Sequence, residues 1–195
     1  MKEPKPTFEE ILKEIAECSP LADEGLRLSS PPEGIQRYPE AQIATTLNPL
    51  VVDHVNERSS IVILGNDGPN VSEPDYPWKV YLKEWLEAGS EISYLMFDPS
   101  EATKIILKEL SDDFPGMFRA YKILGDRFDR YRTCQHFALF QNPKMLWIEG
   151  EHLPETTTAS DCSFFPEGVA ERSMDYQVVS LLAQRMLQSA EPLFS

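Results

Sequence analysis

Residues 133 to 152 read TCQHFALFQNPKMLWIEGEH, and the choice of fold turns on this stretch. Cys134, Phe137, Leu139 and Phe140 form one near-continuous apolar run, and Met145, Leu146, Trp147 and Ile148 form another. Such runs suit strands buried on both faces. Between them lies Gln141-Asn142-Pro143-Lys144. Proline cannot serve a central ladder and asparagine tolerates turn geometry, so the break predicts a β-hairpin. With Gln141 facing Lys144, His136 falls directly across from Glu149. Cross-strand Cβ atoms stand ~5 Å apart, which puts imidazole and carboxylate within reach of each other. A slip of one residue would set His136 against Gly150 or Ile148 instead. Asn-Pro is not a favoured two-residue hairpin turn, so the turn alone does not fix the register. Trp147, Glu151 and His152 lie on the same stretch, and the candidate site is placed here.

Upstream of the hairpin the pattern alternates. Ser60 to Leu64 (SIVIL) predicts a strand that ends in Gly65-Asn66-Asp67-Gly68. The loop to Pro77 has neither GxGxxG nor GxxxxGK[ST], the glycine spacings that cradle phosphates. Trp78 to Ala88 predicts a helix with Trp78, Leu82, Trp85 and Leu86 on one face and Gly89 at its end. Glu91 to Phe97 is the next strand, and Asp98-Pro99 with Glu101 opens a helix through Ile105, Ile106 and Leu110. Pro115-Gly116 stops it, and Met117 to Leu124 is a third strand. Strand, helix, strand, helix, strand predicts a parallel α/β core. With the hairpin added, the expectation is a mixed, mostly parallel sheet flanked by helices. Val62, Leu95, Phe97, Phe118, Phe137, Leu139, Leu146 and Ile148 are the expected core.

Downstream of Pro154, a Thr/Ser stretch and Cys162 to Pro166 read as loop. Ser173 then caps a helix with Val178, Val179, Leu181, Leu182, Met186 and Leu187, apolar enough to lie on the sheet. At the other end, residues 1–58 are expected to be an extension packed on an α/β domain of residues 59–195. Thr7 with Glu10 fits a capping box, and Phe8, Ile11, Leu12 and Ile15 share a helical face. Residues 19 to 47 carry Pro20, Pro31, Pro32 and Pro39 and predict an irregular excursion with a short helix or strand at most. Asn48-Pro49 starts a short helix toward Arg58, on which His54 stands alone.

Composition excludes several classes. There are 32 Asp and Glu against 18 Lys and Arg, a formal charge of −14. Nucleic acid and anionic membranes need basic surface, so neither is an expected partner. The cysteines at 18, 134 and 162 form neither a metal cluster nor an even disulfide set, and reduced thiols in the cytoplasm are expected. The start, MKEPKPTFEE, has no apolar signal region. No apolar run approaches the ~18 residues of a membrane span.

Three groups of residues carry possible chemistry. His136 with Glu149 makes an oriented base or nucleophile. Adding His152 gives two histidines and a carboxylate, a possible metal set without a strict metal spacing. No cofactor and no structural zinc are expected. Arg127, Arg130 and Arg132, interleaved with Phe128 and Tyr131, are candidate binders of an anionic substrate beside Trp147 and His152. Asp126 and Asp129 offset them. Cys134 lies in an apolar run and reads as a buried, inert thiol.

From Ser60 onward the order of elements resembles one half of the phospholipase D/nuclease superfamily. The resemblance covers about residues 59 to 190. Proteins of that family have a βαβαβ core, a strand with His-x-Lys, a turn, a second strand, a polar loop and a closing helix. His136-Phe137-Ala138 stands where His-x-Lys would stand, and Trp147 to His152 stands where Gly-Ser-x-Asn would follow. Ala138 replaces the lysine, Pro143 occupies the aspartate position, and no Gly-Ser-x-Asn is present. The resemblance carries over His136 alone, as the nucleophile position. It implies an α/β half-domain whose active site would form between two halves, hence a homodimer. The missing lysine removes a charge that stabilises the transition state. The expected function is therefore a non-catalytic interaction or regulatory module. The alternatives are a phosphodiester hydrolase using His136 with Glu149, or a metal-dependent hydrolase using His136, Glu149 and His152.

Overall fold

The computed structural model describes residues 33–41, 43–65, 77–124, 136–150 and 159–194. The segment from Thr7 for which a helix is expected, Cys18, Cys134, the three arginines Arg127, Arg130 and Arg132, Glu151 and His152 all lie outside the described residues, as does the Trp78 side chain. The strands are β1 (Gln36–Ala41), β2 (Ser60–Leu64), β3 (Glu91–Met96), β4 (Phe118–Ile123), β5 (Phe137–Gln141), β6 (Lys144–Ile148), β7 (Ala159–Phe165) and β8 (Ala190–Pro192). Four α-helices are described: α1 (Asn48–Val51), α2 (Pro77–Glu87), α3 (Glu101–Asp113) and α4 (Met174–Ser189). One sheet holds all eight strands, in the order β1-β7-β6-β5-β2-β3-β4-β8.

The β2-α2-β3-α3-β4 run is parallel, as its alternation predicts. The expectation of a mostly parallel sheet is corrected. Only β2–β3 and β3–β4 run parallel, and the other five neighbouring pairs are antiparallel. The reason is connectivity. A parallel pair needs a crossover, whereas a tight hairpin such as β5–β6 forces its strands antiparallel, and β5 joins β2 in the same sense.

Residues 159–165 are a second correction, for they form a strand and not a loop. Cys162 and Phe164 alternate toward one layer and Phe165 turns to the other. That alternation is the strand signal. β7 bridges β6 to β1, so residues 36–41 supply an edge strand of the same sheet.

Each face of the sheet has its own core. One is aromatic: Tyr81 and Trp85 of α2 pack with Phe140, Trp147, Tyr94 and Phe118 of the sheet. Trp85 meets Phe140 edge-on at 5.4 Å, a favoured aromatic geometry. The other is aliphatic and lies under α4, with Val179, Leu182 and Met186 on Val62, Leu95, Leu139 and Leu146. All eight expected core residues belong to these layers, although Phe97 is only half-buried. Burying one such apolar side chain stabilises the fold by roughly 1.5–3 kcal/mol.

Local signals set the helix ends. Ser100 caps α3 by accepting a hydrogen bond from the Thr103 N–H, and Ser173 does the same for α4 through Tyr176. Tyr176 then donates from its hydroxyl to the Phe140 carbonyl at 2.9 Å, tying α4 to the hairpin.

Candidate functional site

The hairpin takes the register in which Gln141 faces Lys144. His136 therefore faces Glu149, and the Glu149 N–H donates to the His136 carbonyl at 2.8 Å. The pairing of Ile148 with Ser163 sets Glu149 against Cys162 on its other side, and Cys162 pairs with Tyr38. The pairing of Leu64 with Phe137 sets His136 against Gly65. One row thus crosses five strands: Gly65, His136, Glu149, Cys162 and Tyr38. Strand alternation sends its side chains to the aromatic layer, where Ala138, Phe140, Trp147 and Cys162 already point.

The Glu149 carboxylate is the most heavily buried charge-bearing group in this row, with a side chain only 3% exposed. Its Oε1 accepts a hydrogen bond from the Trp147 indole N–H at 3.1 Å. Its Oε2 lies 3.4 Å from His136 Nδ1, within ion-pair range and long for a hydrogen bond. The His136 side chain is 12% exposed, so water barely reaches the pair. Trp147 is fully buried and packs against the Tyr38 ring at 5.8 Å. Cys162 is likewise fully buried. Burial pushes its thiol up to about 12. The Glu149 and Asp161 charges push the same way, against a backbone hydrogen bond at Gly150. It is a packing thiol, not a nucleophile.

The structure thus brings together three of the expected site residues, His136, Glu149 and Trp147. Among the described residues, no three of His, Cys, Asp and Glu converge as metal ligands. No described helix is long and apolar enough to cross a membrane.

Sequence reasoning missed Cys162 and Tyr94. The signal for Cys162 was the alternation in Asp161-Cys162-Ser163-Phe164-Phe165. Tyr94 gave none, because its place depends on Gly65 of the neighbouring strand. A Cβ placed on Gly65 would overlap the Tyr94 hydroxyl oxygen and come within 2.5 Å of Tyr94 Cζ.

By sequence the chain matches no protein-family profile and no curated protein. By structure it is similar to Nuc, a phospholipase D family member from Salmonella typhimurium, with a TM-score of 0.50 and 9% identity over 83% of this chain and 99% of Nuc. It also aligns with TrmBL2, an archaeal chromatin protein whose structure shows a novel mode of DNA binding, with a TM-score of 0.48 and 11% identity. That alignment covers 95% of this chain, which spans only 62% of TrmBL2. The likeness to Nuc shows a phospholipase D/nuclease-like fold and does not extend to chemistry.

Proposed function

We propose that this chain is a non-catalytic phospholipase D-like domain that works as a homodimeric interaction or regulatory module in the cytoplasm. One observation carries the reading. Ala138, at the position of the family's lysine, is 1% exposed between its cross-strand partners Ile63 and Trp147, which are themselves buried. An ammonium there would be driven into an aromatic core, at a large desolvation cost. The carboxylate beside His136 is of the wrong sign to hold a phosphate. Among the described residues, these two features work against the positive field that phosphoryl transfer requires.

The dimer contact is proposed away from the sheet edges. Edge strand β1 carries Pro39 and edge strand β8 ends in Pro192, and proline blunts strand-to-strand growth. The apolar face of α4 is already spent on its own sheet.

The second reading, a hydrolase with His136 as base, draws on the 3.4 Å approach of Glu149 to Nδ1. Light scattering at micromolar concentration and a general phosphodiester substrate separate the two. The expected result is a mass of two chains and no turnover. Turnover that His136→Ala abolishes and the exposed control Lys108→Ala keeps would overturn the module reading, and a mass of one chain would overturn the dimer.

A further inference from the structure

We infer that Tyr94 caps His136: its phenol donates a hydrogen bond to Nε2, closing a Glu149–His136–Tyr94 relay across β6, β5 and β3. Tyr94 belongs to the aromatic layer, and its hydroxyl occupies the space that a side chain on Gly65 would fill. Gly65 is directly across from His136, one step beyond the Leu64–Phe137 pair, and cross-strand Cβ positions are ~5 Å apart. The phenol oxygen and the imidazole therefore share one face and one row. Glu149 approaches the imidazole from the opposite neighbour, β6, through Nδ1. Carboxylate and phenol thus flank the ring from two sides, and the nitrogen left for the phenol is Nε2.

The chemistry fixes the direction of the bonds. A carboxylate oxygen 3.4 Å from Nδ1 favours a proton on that nitrogen. Nε2 is then an acceptor, and a phenol O–H is its matching donor. Gly65 is the residue that makes this possible, since any side chain there would evict the hydroxyl. The inference rests on the module reading and deepens it. The imidazole nitrogen opposite Glu149 is occupied from within the fold, so a substrate would have to displace Tyr94 to reach it. Tyr94 is accordingly a positioning residue that acts through His136.

Long-range proton–nitrogen NMR on the full chain at neutral pH tests the assignment. In the wild type, His136 is expected with its proton on Nδ1 and a hydrogen-bonded Nε2. Tyr94→Phe keeps the ring and should move the Nε2 resonance to the position of an unbonded imine nitrogen, while exposed His54 stays unchanged. Gly65→Ala should reproduce that shift by pushing the hydroxyl aside. A proton on Nε2 in the wild type, or an Nε2 resonance unmoved by Tyr94→Phe, would overturn the cap. Phosphodiester turnover by the wild type would instead overturn the module reading and leave the relay standing, so the two failures are distinguishable.

Discussion

The two ends of the β5–β6 hairpin hold polar groups in opposite ways. At the turn, Asn142 and Lys144 are exposed, and the Asn142 side chain donates to the Arg58 carbonyl at 3.3 Å. Water stands ready to replace those bonds. At the open end, His136, Glu149 and the Trp147 indole N–H meet in the aromatic layer, where Trp147 and Glu149 are buried and His136 is nearly so. There a lost partner is not replaced. The same two strands therefore teach that the cost of a polar group depends on whether water can substitute for its neighbour.

The largest effect should come from the open end. Glu149→Ala leaves the Trp147 N–H without its acceptor and His136 without its carboxylate, both in the core. Taking a charged acceptor away from buried donors costs about 3 kcal/mol. Glu149→Gln keeps an acceptor for the indole and should cost clearly less. Urea unfolding at constant m-value measures both. If Glu149→Ala is as mild as Lys144→Ala at the exposed turn, the contrast between the ends is broken.

A smaller effect is predicted in alkali, with its sign set by Cys162. The thiol's ordinary value is 9.0, and in the fold it is pushed up to about 12. Below pH 9 both folded and unfolded chains keep the proton, and the thiol leaves stability unchanged. Above pH 9 the unfolded chain releases it while the folded chain holds it, so stability falls until the folded value is passed. The loss reaches about 1.4 kcal/mol by pH 10. Burial also raises Tyr176, which adds to alkaline loss in wild type and variant alike. Comparing wild type with Cys162→Ala at pH 8 and pH 10 therefore isolates the thiol. An equal drop in both chains would show that the thiol is not sealed in the row.

How much of this was legible follows from how local each signal is. Ser60–Leu64 and the Ser173 cap could be read directly, because a β-branched run and a capping serine act within a few residues. The pairing of His136 with Glu149 was readable as one of a few registers, since the apolar runs limit the slips. β7 was misread because its polar first half, Ala159-Ser160-Asp161, hides a strand whose alternation shows only at Cys162, Phe164 and Phe165. The sheet's mostly antiparallel sense was not legible either, since it depends on which strand β5 chooses to join. Gly65 and Tyr94 lie 29 residues apart on different strands, and no pattern along the chain ties a missing side chain to a distant hydroxyl.

The smallest effect should come from the turn end, and it is the sharpest test of the contrast. Ser59 is 2% exposed and makes two bonds there. Its hydroxyl donates to the Asn142 carbonyl and accepts from the Asn56 N–H at 3.1 Å. By the bonds described, Ser59→Ala resembles Glu149→Ala, for each removes a side chain that meets two described neighbours. The neighbours differ. Asn56 and Asn142 are both exposed residues, so water can take up the groups that Ser59 releases. Ser59, unlike Glu149, is not an ion, so no charge-assisted bond is lost. The loss is then that of an ordinary hydrogen bond, about 1 kcal/mol. The same urea titration ranks the two variants side by side. A loss at Ser59 equal to that at Glu149 would mean that bond count, not access to water, sets the cost, and the comparison between the two ends would collapse.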